Sequence, residues 1–146
     1  MGVRSTIVAY CRKQLGCAYS YTPSGGKEGS SYNCSYLSTC AFKAAGLTIT
    51  RWQGHQNGDG SQSDWVWRNG HWTTDPAKLK PGDLVFFDHA DRNPNSTRIT
   101  HVGMLISQTE VIHCAGCVHV AKIEDMGIRL ANGKLSHHLA KIKRFL

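Results

Sequence analysis

The apolar residues change their spacing about halfway along the chain, and this change constrains the fold more than any other feature of the sequence. Residues 5–15 and 34–45 carry apolar side chains at helical spacing, and a glycine follows each segment. The pattern predicts two amphipathic helices, with Asn33 as the N-cap of the second. After residue 80 the apolar residues form short runs bounded by turn residues, which is typical of strands. Helices followed by strands predict an α+β fold, with the N-terminal helices packed on a central antiparallel β-sheet.

The predicted strands cover residues 84–87, 101–106, 110–113, 118–123 and 140–145. Because most of the connections between them are short, neighbouring strands are expected to run antiparallel. We interpret residues 19–31 as a loop, since they are rich in Gly, Ser and Pro. Residues 51–76 contain all four tryptophans and are interpreted as an ordered surface excursion, because exposing these side chains to water would be costly. No repeat or boundary divides residues 1–146, so one domain is expected.

The chain is basic, with 17 Lys and Arg against 10 Asp and Glu and a net charge of +7 over 146 residues. This charge favours a polyanionic partner, either nucleic acid or the anionic bacterial envelope, and does not by itself separate the two. No apolar run reaches the roughly 18 residues that a membrane-spanning helix needs. Residues 1–10 lack the continuous apolar core of a signal peptide. Export, if it occurs, is therefore expected to follow another route or a removed leader.

The six cysteines allow three interpretations. Three disulfides, with 15 possible connectivities, would suit a small secreted scaffold, but a chain of this length already has a hydrophobic core. A zinc site could use Cys114 and Cys117 with the flanking His113 and His119, although no second pair of cysteines has similarly close spacing. The third interpretation is one reactive thiol among buried, inert ones. We expect no bound metal.

Cys34 has the setting of a nucleophilic thiol. It stands at the predicted start of a helix, where unpaired N–H groups and the helix dipole favour the thiolate. The Gly- and Ser-rich segment before it could leave the sulfur exposed to a substrate. Cys11 and Cys40 lie on the apolar faces of the predicted helices and are expected in the core.

A nucleophilic thiol also needs a base and a group that orients the base, and two histidines on neighbouring strands meet this need. His101 opens one predicted strand and His113 closes the next. A three-residue loop between the strands would pair Ile106 with Glu110, and therefore Gly103 with His113. Both imidazoles would then share one face at a diagonal distance of roughly 7–8 Å between backbones, with open space at the glycine. The other six histidines are interpreted as surface residues.

The candidate residues lie within short motifs. Cys34 belongs to Asn-Cys-Ser-Tyr at residues 33–36, while His-Val-Gly begins at residue 101 and Ile-His-Cys-Ala at residue 112. Pro-Gly-Asp-Leu-Val-Phe-Phe occupies residues 81–87. In this order the motifs resemble those of the NlpC/P60 family of papain-like cell-wall cysteine peptidases, which read Asp-Cys-Ser-Gly, Pro-Gly-Asp-Leu-Val-Phe-Phe, His-Val-Gly and Ile-His-Ala. The family's Gly-x-Pro-Tyr-x-Trp-Gly-Gly loop is approximated upstream, and Tyr36 replaces a family glycine.

The resemblance implies a papain-like NlpC/P60 fold and a peptidoglycan endopeptidase that cleaves amide bonds in stem peptides, most often between γ-D-glutamate and a diamino acid. It implies that Cys34 attacks the carbonyl, that His101 acts as general base and acid, and that His113 holds the His101 ring. The oxyanion would be met by the Cys34 backbone N–H and the Tyr19 hydroxyl. Substrate contacts would come from Ser35, Arg51 and Gln56.

The resemblance also sets the expected partner and the alternatives. The partner would be the stem peptides of bacterial peptidoglycan, at the cell wall or outside the cell, for a monomer without cofactor, nucleic acid or integral membrane contact. On the same fold the alternatives are an N-acetylmuramoyl-L-alanine amidase, a lipid acyltransferase and an inactive wall-binding domain. The acyltransferase would require a long apolar segment that the sequence lacks, and the intact Cys34, His101 and His113 disfavour the inactive domain. A zinc-linked basic nucleic-acid module is the alternative from another class, and metal analysis separates it.

Overall fold

The structure is a computed structural model and describes residues 2–49, 67–68, 71–72, 76–89, 101–123 and 137–146. Two helices are α1 (Val3–Lys13) and α2 (Cys34–Ala44). The strands are β1 (Ala18–Tyr19), β2 (Gly26–Lys27), β3 (Ser31–Tyr32), β4 (Trp67–Arg68), β5 (His71–Trp72), β6 (Leu84–His89), β7 (His101–Leu105), β8 (Glu110–Ala115), β9 (Cys117–Lys122) and β10 (His137–Lys143). Arg51, Gln56 and most of the predicted excursion 51–76 lie outside the described residues.

The described strands form an eight-stranded sheet in the order β10-β6-β7-β8-β9-β1-β3-β2, and β4 and β5 pair in a separate two-stranded sheet. Five longer strands form one part of this eight-stranded sheet, and each pairs antiparallel with the next: β10, β6, β7, β8 and β9. The predicted α+β fold with an antiparallel sheet is confirmed. Neither described helix has the length and hydropathy of a membrane-spanning segment.

The prediction of residues 19–31 as a loop was partly wrong. This segment contains β2 and parts of β1 and β3, which add to the sheet beyond β9. β1 pairs in parallel with β3, and β2 returns antiparallel to β3. Each of these strands has two residues, which is too short for a period of two to be visible in the sequence.

The register of β7 and β8 is the one predicted. Met104 pairs with Ile112 and Leu105 with Val111, and the Ile106 N–H donates to the Glu110 carbonyl at 3.0 Å. Continuing this register by one residue sets position 103 opposite position 113. The short loop between the strands therefore holds both candidate histidines on one face of the sheet.

The sheet separates two groups of buried side chains, and β6 contributes to both. Leu84 and Phe86 pack in the cluster that includes the residues of α1 and α2, whereas Val85 and Phe87 pack in a second cluster on the other side. The first predicted helix, over residues 5–15, was too long at its C-terminal end, because α1 ends at Lys13 and Leu15 is exposed. Within α1 and α2, Cys11 and Cys40 are buried in the first cluster, as predicted. Burial raises the pKa of Cys11 to about 12, which keeps it a neutral thiol.

Asp83, a fully buried carboxylate, stabilises the turn before β6 through hydrogen bonds and ion pairs. Its Oδ1 accepts from Arg144 Nε at 2.9 Å and Arg4 Nη1 at 3.3 Å, and its Oδ2 accepts from Arg144 Nη2 at 2.9 Å and the Lys80 N–H at 3.0 Å. A buried charge is tolerated only when it is partnered in this way. Asp83 thereby joins the start of β6 to α1 and to the C-terminal end of the sheet. Arg144 therefore has an ion-pair partner inside the fold.

Candidate active site

Cys34 is the first residue of α2, and a side-chain cap fixes the start of this helix. The Asn33 side-chain oxygen accepts from the Tyr36 N–H at 2.8 Å and from the Ser35 hydroxyl at 3.2 Å. This confirms the predicted N-cap. Cys34 is 6% exposed, so this residue is buried and not exposed as the sequence suggested. The N–H groups and dipole at the helix start favour negative charge on its sulfur.

The peptide that leads into α2 is held from two directions. The Ser20 N–H donates to the Tyr32 carbonyl at 2.9 Å, and the Asn33 N–H donates to the Gly25 carbonyl at 2.7 Å. Gly25 has a φ of 97°, and a Cβ there would lie 2.7 Å from the Cβ of Tyr36. Only glycine meets both conditions, so this residue sets how closely the loop approaches the helix start.

The Tyr36 side chain, which stands where the family motif has glycine, makes packing contacts within the fold. Its ring lies 5.6 Å from that of Tyr32. It also packs against the backbone of Gly25. The loop glycine thus accommodates the bulk that Tyr36 adds.

His101 and His113 form a buried, hydrogen-bonded pair on β7 and β8. His101 Nε2 lies 2.8 Å from His113 Nδ1, and the rings meet nearly at right angles, at 70°. The two residues are 7% and 3% exposed. Helix α2 packs against both strands, so the element that starts at Cys34 contacts the strands that carry the imidazoles. A Cβ on Gly103 would lie 2.6 Å from Val111 Cγ1 and 3.2 Å from the His113 Cβ, so the open space predicted at this glycine is wrong: neighbouring side chains fill it.

The protonation of His113 follows from its surroundings. Burial, assisted by the nearby His119, lowers the pKa of His113 to about 4. His113 is therefore neutral near pH 7 and carries one ring proton. With that proton on Nε2, its Nδ1 accepts from the Nε2–H of His101 and leaves His101 Nδ1 as the basic nitrogen.

A second buried thiol, Cys114, lies near the start of α2 but stays protonated. Its sulfur donates to the Tyr32 carbonyl at 3.2 Å. Burial, with a contribution from the charge of Cys34, raises the pKa of Cys114 to about 12. It therefore does not compete with Cys34 as a nucleophile near neutral pH.

Neither the zinc site nor the disulfides considered from the sequence find support among the described residues. Cys114 pairs with Val118 across the β8–β9 hairpin and is buried, whereas Cys117 pairs with Ala115 and is exposed. The two thiols therefore point to opposite faces of the hairpin. All six cysteines lie within the described ranges, and no disulfide joins them. Nor do three His, Cys, Asp or Glu side chains gather at a metal-binding distance in this part of the chain.

The other predicted site residues differ in their placement. Tyr19 is half-buried on β1, directly beside Tyr32 in the register, and its ring lies 4.8 Å from that of the exposed Tyr21. Tyr19 thus lies next to the strand that leads into Cys34. Ser35 is buried, and its hydroxyl contributes to the Asn33 cap. The structure thus brings Cys34, His101, His113 and Tyr19 to adjoining elements.

Sequence reasoning missed His119, which it assigned to the surface. His119 pairs directly with His113 in the β8–β9 register, and the two ring centroids are 4.3 Å apart. The residue is only partly exposed. The signal that could have found it is the tight turn at Gly116, since this turn fixes a register that sets His119 opposite His113.

A helix that begins with a capped cysteine and packs on an antiparallel sheet bearing two bonded histidines is an α+β arrangement of the papain-like type. The profile of the NlpC/P60 family matches residues 16–134. The chain belongs to the NlpC/P60 family.

Named relatives agree with this membership. The chain is 30% identical over 107 residues to "Probable endopeptidase p60" of Listeria monocytogenes, an overlap that covers 73% of this chain and 18% of that protein. It is 33% identical over 99 residues to "Gamma-D-glutamyl-L-lysine dipeptidyl-peptidase" of Bacillus cereus, covering 68% of this chain and 25% of that protein. The structure of NlpC2 from Trichomonas vaginalis has a TM-score of 0.69 at 20% identity, over 98% of this chain and 47% of that chain. The overlaps thus span a quarter or less of the two curated relatives.

Proposed function

We propose that this chain is a peptidoglycan hydrolase, a cysteine endopeptidase that cleaves amide bonds in the stem peptides of the bacterial cell wall. The observation that carries the proposal is the 2.8 Å hydrogen bond between His101 and His113 on strands against which the Cys34 helix packs. A base that is oriented by a second buried group is what a thiol nucleophile requires. Membership of the NlpC/P60 family and the names of its p60 relatives support the substrate class.

In the first chemical step, the sulfur of Cys34 attacks the carbonyl carbon of the scissile amide, and its proton passes to Nδ1 of His101. The C–N bond of the resulting tetrahedral intermediate then breaks. His101 returns the proton to the leaving amine, and the acyl group remains on the sulfur. Water, deprotonated by His101, hydrolyses this thioester and regenerates the thiol.

His113 and the start of α2 support these steps without exchanging atoms with the substrate. Neutral His113 accepts from the Nε2–H of His101 through both proton transfers, which keeps the other nitrogen directed to the reaction. The first N–H groups of a helix have no intrahelical acceptors, so the Cys34 N–H can stabilise the oxyanion. The Tyr19 hydroxyl is the proposed second donor. Ser35 was predicted to contact substrate, but it is buried and donates to Asn33, so we propose that it acts through the cap instead. Arg51 and Gln56 are proposed to contact substrate.

The bond that we propose is the amide between γ-D-glutamate and the diamino acid. The dipeptidyl-peptidase relative, named for a γ-D-glutamyl-L-lysine substrate, supports this choice. Cleavage of the bond between N-acetylmuramic acid and L-alanine is the alternative reaction on the same fold. Either reaction would take place at the cell wall or outside the cell.

Digestion of purified peptidoglycan, with mass spectrometry of the released fragments, tests the proposal. The wild-type chain should release fragments that end in γ-D-glutamate and fragments that begin with the diamino acid. Fragments beginning with L-alanine and intact glycan strands would instead identify the amidase reaction.

Matched cysteine variants test the nucleophile in the same assay. Cys34→Ala should release nothing, whereas Cys117→Ala, which alters an exposed cysteine on β9, should match the wild type. Release by Cys34→Ala at the wild-type rate would contradict the proposed nucleophile. If the folded wild type released no fragment at all, the proposed hydrolase function would be contradicted.

A further inference from the structure

The ring of His113 has one nitrogen that the catalytic pair does not use. Its Nδ1 faces His101, and its Nε2 is buried with no hydrogen-bond partner among the described residues. A buried N–H without a partner is costly, so an environment that keeps a proton there must compensate for it. The proposed reaction requires that proton, since only the Nε2–H form of neutral His113 leaves Nδ1 able to accept from His101.

The His119 side chain contacts this ring from the neighbouring strand, β9, where it lies directly opposite His113. Its ring centroid lies 4.3 Å from that of His113, and the planes are tilted by 58°. This distance is shorter than the 5.1 Å between His101 and His113. The three imidazoles lie on three neighbouring strands, and the third is the most exposed of them.

The proton position on His119 is fixed by its own hydrogen bond. His119 Nδ1 lies 2.9 Å from the Cys117 carbonyl, and a carbonyl can only accept, so Nδ1 carries the proton. When His119 is neutral, its Nε2 is therefore a lone-pair acceptor. His119 thus covers the His113 ring with a polarisable ring, which favours an N–H donor on the facing ring, although its Nε2 makes no hydrogen bond to His113.

We propose that His119 is a positioning residue for the active site, which keeps His113 neutral with its proton on Nε2 by covering the ring and disfavouring a second charge beside it. This inference rests on the proposed function and adds a fourth residue to the Cys34, His101 and His113 arrangement. His119 acts only through His113 and has no part in bond breaking.

The other ionisable groups near His113 do not supply the same effect. The described elements that pack against β8 contribute His101 from β7, Cys34 from the start of α2, Tyr19 from β1 and Cys117 from β9. His119 is the neighbour whose charge opposes protonation of His113, and burial acts in the same direction. Removing the charge, the cover or both should therefore raise the pKa of His113 toward its ordinary value.

Nitrogen NMR of the histidine rings tests the inference without any substrate. The protein is labelled with ¹⁵N-histidine and carries Cys34→Ala, so that ionisation of the thiol does not disturb the spectra. In this parent, His113 should show a proton on Nε2, a bare Nδ1 and a titration near pH 4. His119→Phe keeps the cover and removes the charge, and should move the titration up by about 0.5 pH unit. His119→Ser removes both, and should move it up by about 1 unit.

A matched control removes a positive charge from an exposed position on the same strand. Lys122→Gln should leave the titration and the proton position of His113 unchanged. The inference fails if both His119 variants titrate as the parent does, or if the parent carries its proton on Nδ1. Should His119→Ser fail to fold, the near-isosteric His119→Phe still decides the result. Because these spectra involve no hydrolysis, they stand whether or not the chain digests peptidoglycan.

The same variants in an otherwise wild-type chain add a catalytic measurement. His119→Phe should shift the acid limb of kcat/KM for a muropeptide to higher pH. A uniform loss at all pH values, with an unshifted limb, would reduce His119 to a packing residue.

Discussion

The Asp83 turn and the His101–His113 pair are both buried polar groups in the same sheet, but their hydrogen bonding differs. Each carboxylate oxygen of Asp83 accepts two hydrogen bonds. The donors are the side chains of Arg4 and Arg144, which are distant in sequence, and the backbone N–H of Lys80 in the turn itself. In the histidine pair, by contrast, one ring nitrogen has no partner among the described residues. The complete set of bonds holds the Asp83 side chain in one geometry. In the histidine pair the hydrogen bonds are incomplete, so neighbouring rings influence which nitrogen of His113 carries the proton. This arrangement suits a site that must move protons.

The largest expected effect is on catalysis, at the histidine pair. Replacing the base should remove the proton transfers, so His101→Ala should lower kcat/KM for a defined muropeptide by about 10³-fold or more. His113→Asn retains a hydrogen-bonding group and should keep more activity than His113→Ala. Steady-state kinetics measures both. Substantial activity in His101→Ala, with complete loss in every His113 variant, would reverse the two roles.

The second effect is on stability, at the Asp83 turn. Asp83→Asn leaves the guanidinium of Arg144 without its charged partner, and breaking a buried ion pair in this way costs about 3–5 kcal/mol of unfolding free energy. Urea denaturation measures the change.

The control for this variant is the exposed ion pair between Glu28 and Lys43, whose atoms are 3.1 Å apart. Glu28→Gln makes the same chemical change where water screens the charges, so it should alter stability far less. Equal effects of the two substitutions would remove the distinction between the Asp83 turn and the surface.

The third effect is smaller and depends on pH. The pKa of His113 is lowered from its ordinary 6.5 to about 4 in the folded chain. Between these values the unfolded chain binds a proton that the folded chain does not, so the unfolding free energy falls as the pH falls. The loss attributable to His113 reaches at most about 3 kcal/mol near pH 4. His113→Asn should flatten the curve in this window, and the difference between the two chains isolates His113. Parallel curves would mean that His113 is protonated in the fold.

Local sequence signals predicted the parts of the site that lie close together in the chain. Asn33 was recognisable as a cap because it immediately precedes a helical pattern, and the loop of three residues after Ile106 fixed the β7–β8 register. The histidine pair followed from that register, since Gly103 and His113 share a rung.

Long-range partners were not predictable in the same way. Asp83 lies in a recognisable turn, but its partners Arg4 and Arg144 come from opposite ends of the chain. The role of His119 needed the β8–β9 register, and its sequence neighbours are ordinary strand residues. The strands β1 to β3 have two residues each, which is too short to show a period in the sequence, and the positive φ angles of Gly25 and Gly26 at the start of β2 are not visible there.

The central claim, that the thiol of Cys34 performs the reaction, is tested most directly by site-resolved alkylation. A Cys17→Ser, Cys117→Ser chain removes the two cysteines outside the buried set, and limiting iodoacetamide near pH 7 then competes among the remaining four. Peptide mapping should place the label on Cys34, and the loss of peptidoglycan hydrolysis should follow the labelled fraction of Cys34 in direct proportion. Full hydrolysis by chains carrying the label on Cys34, or loss of hydrolysis while Cys34 stays unlabelled, would contradict the account.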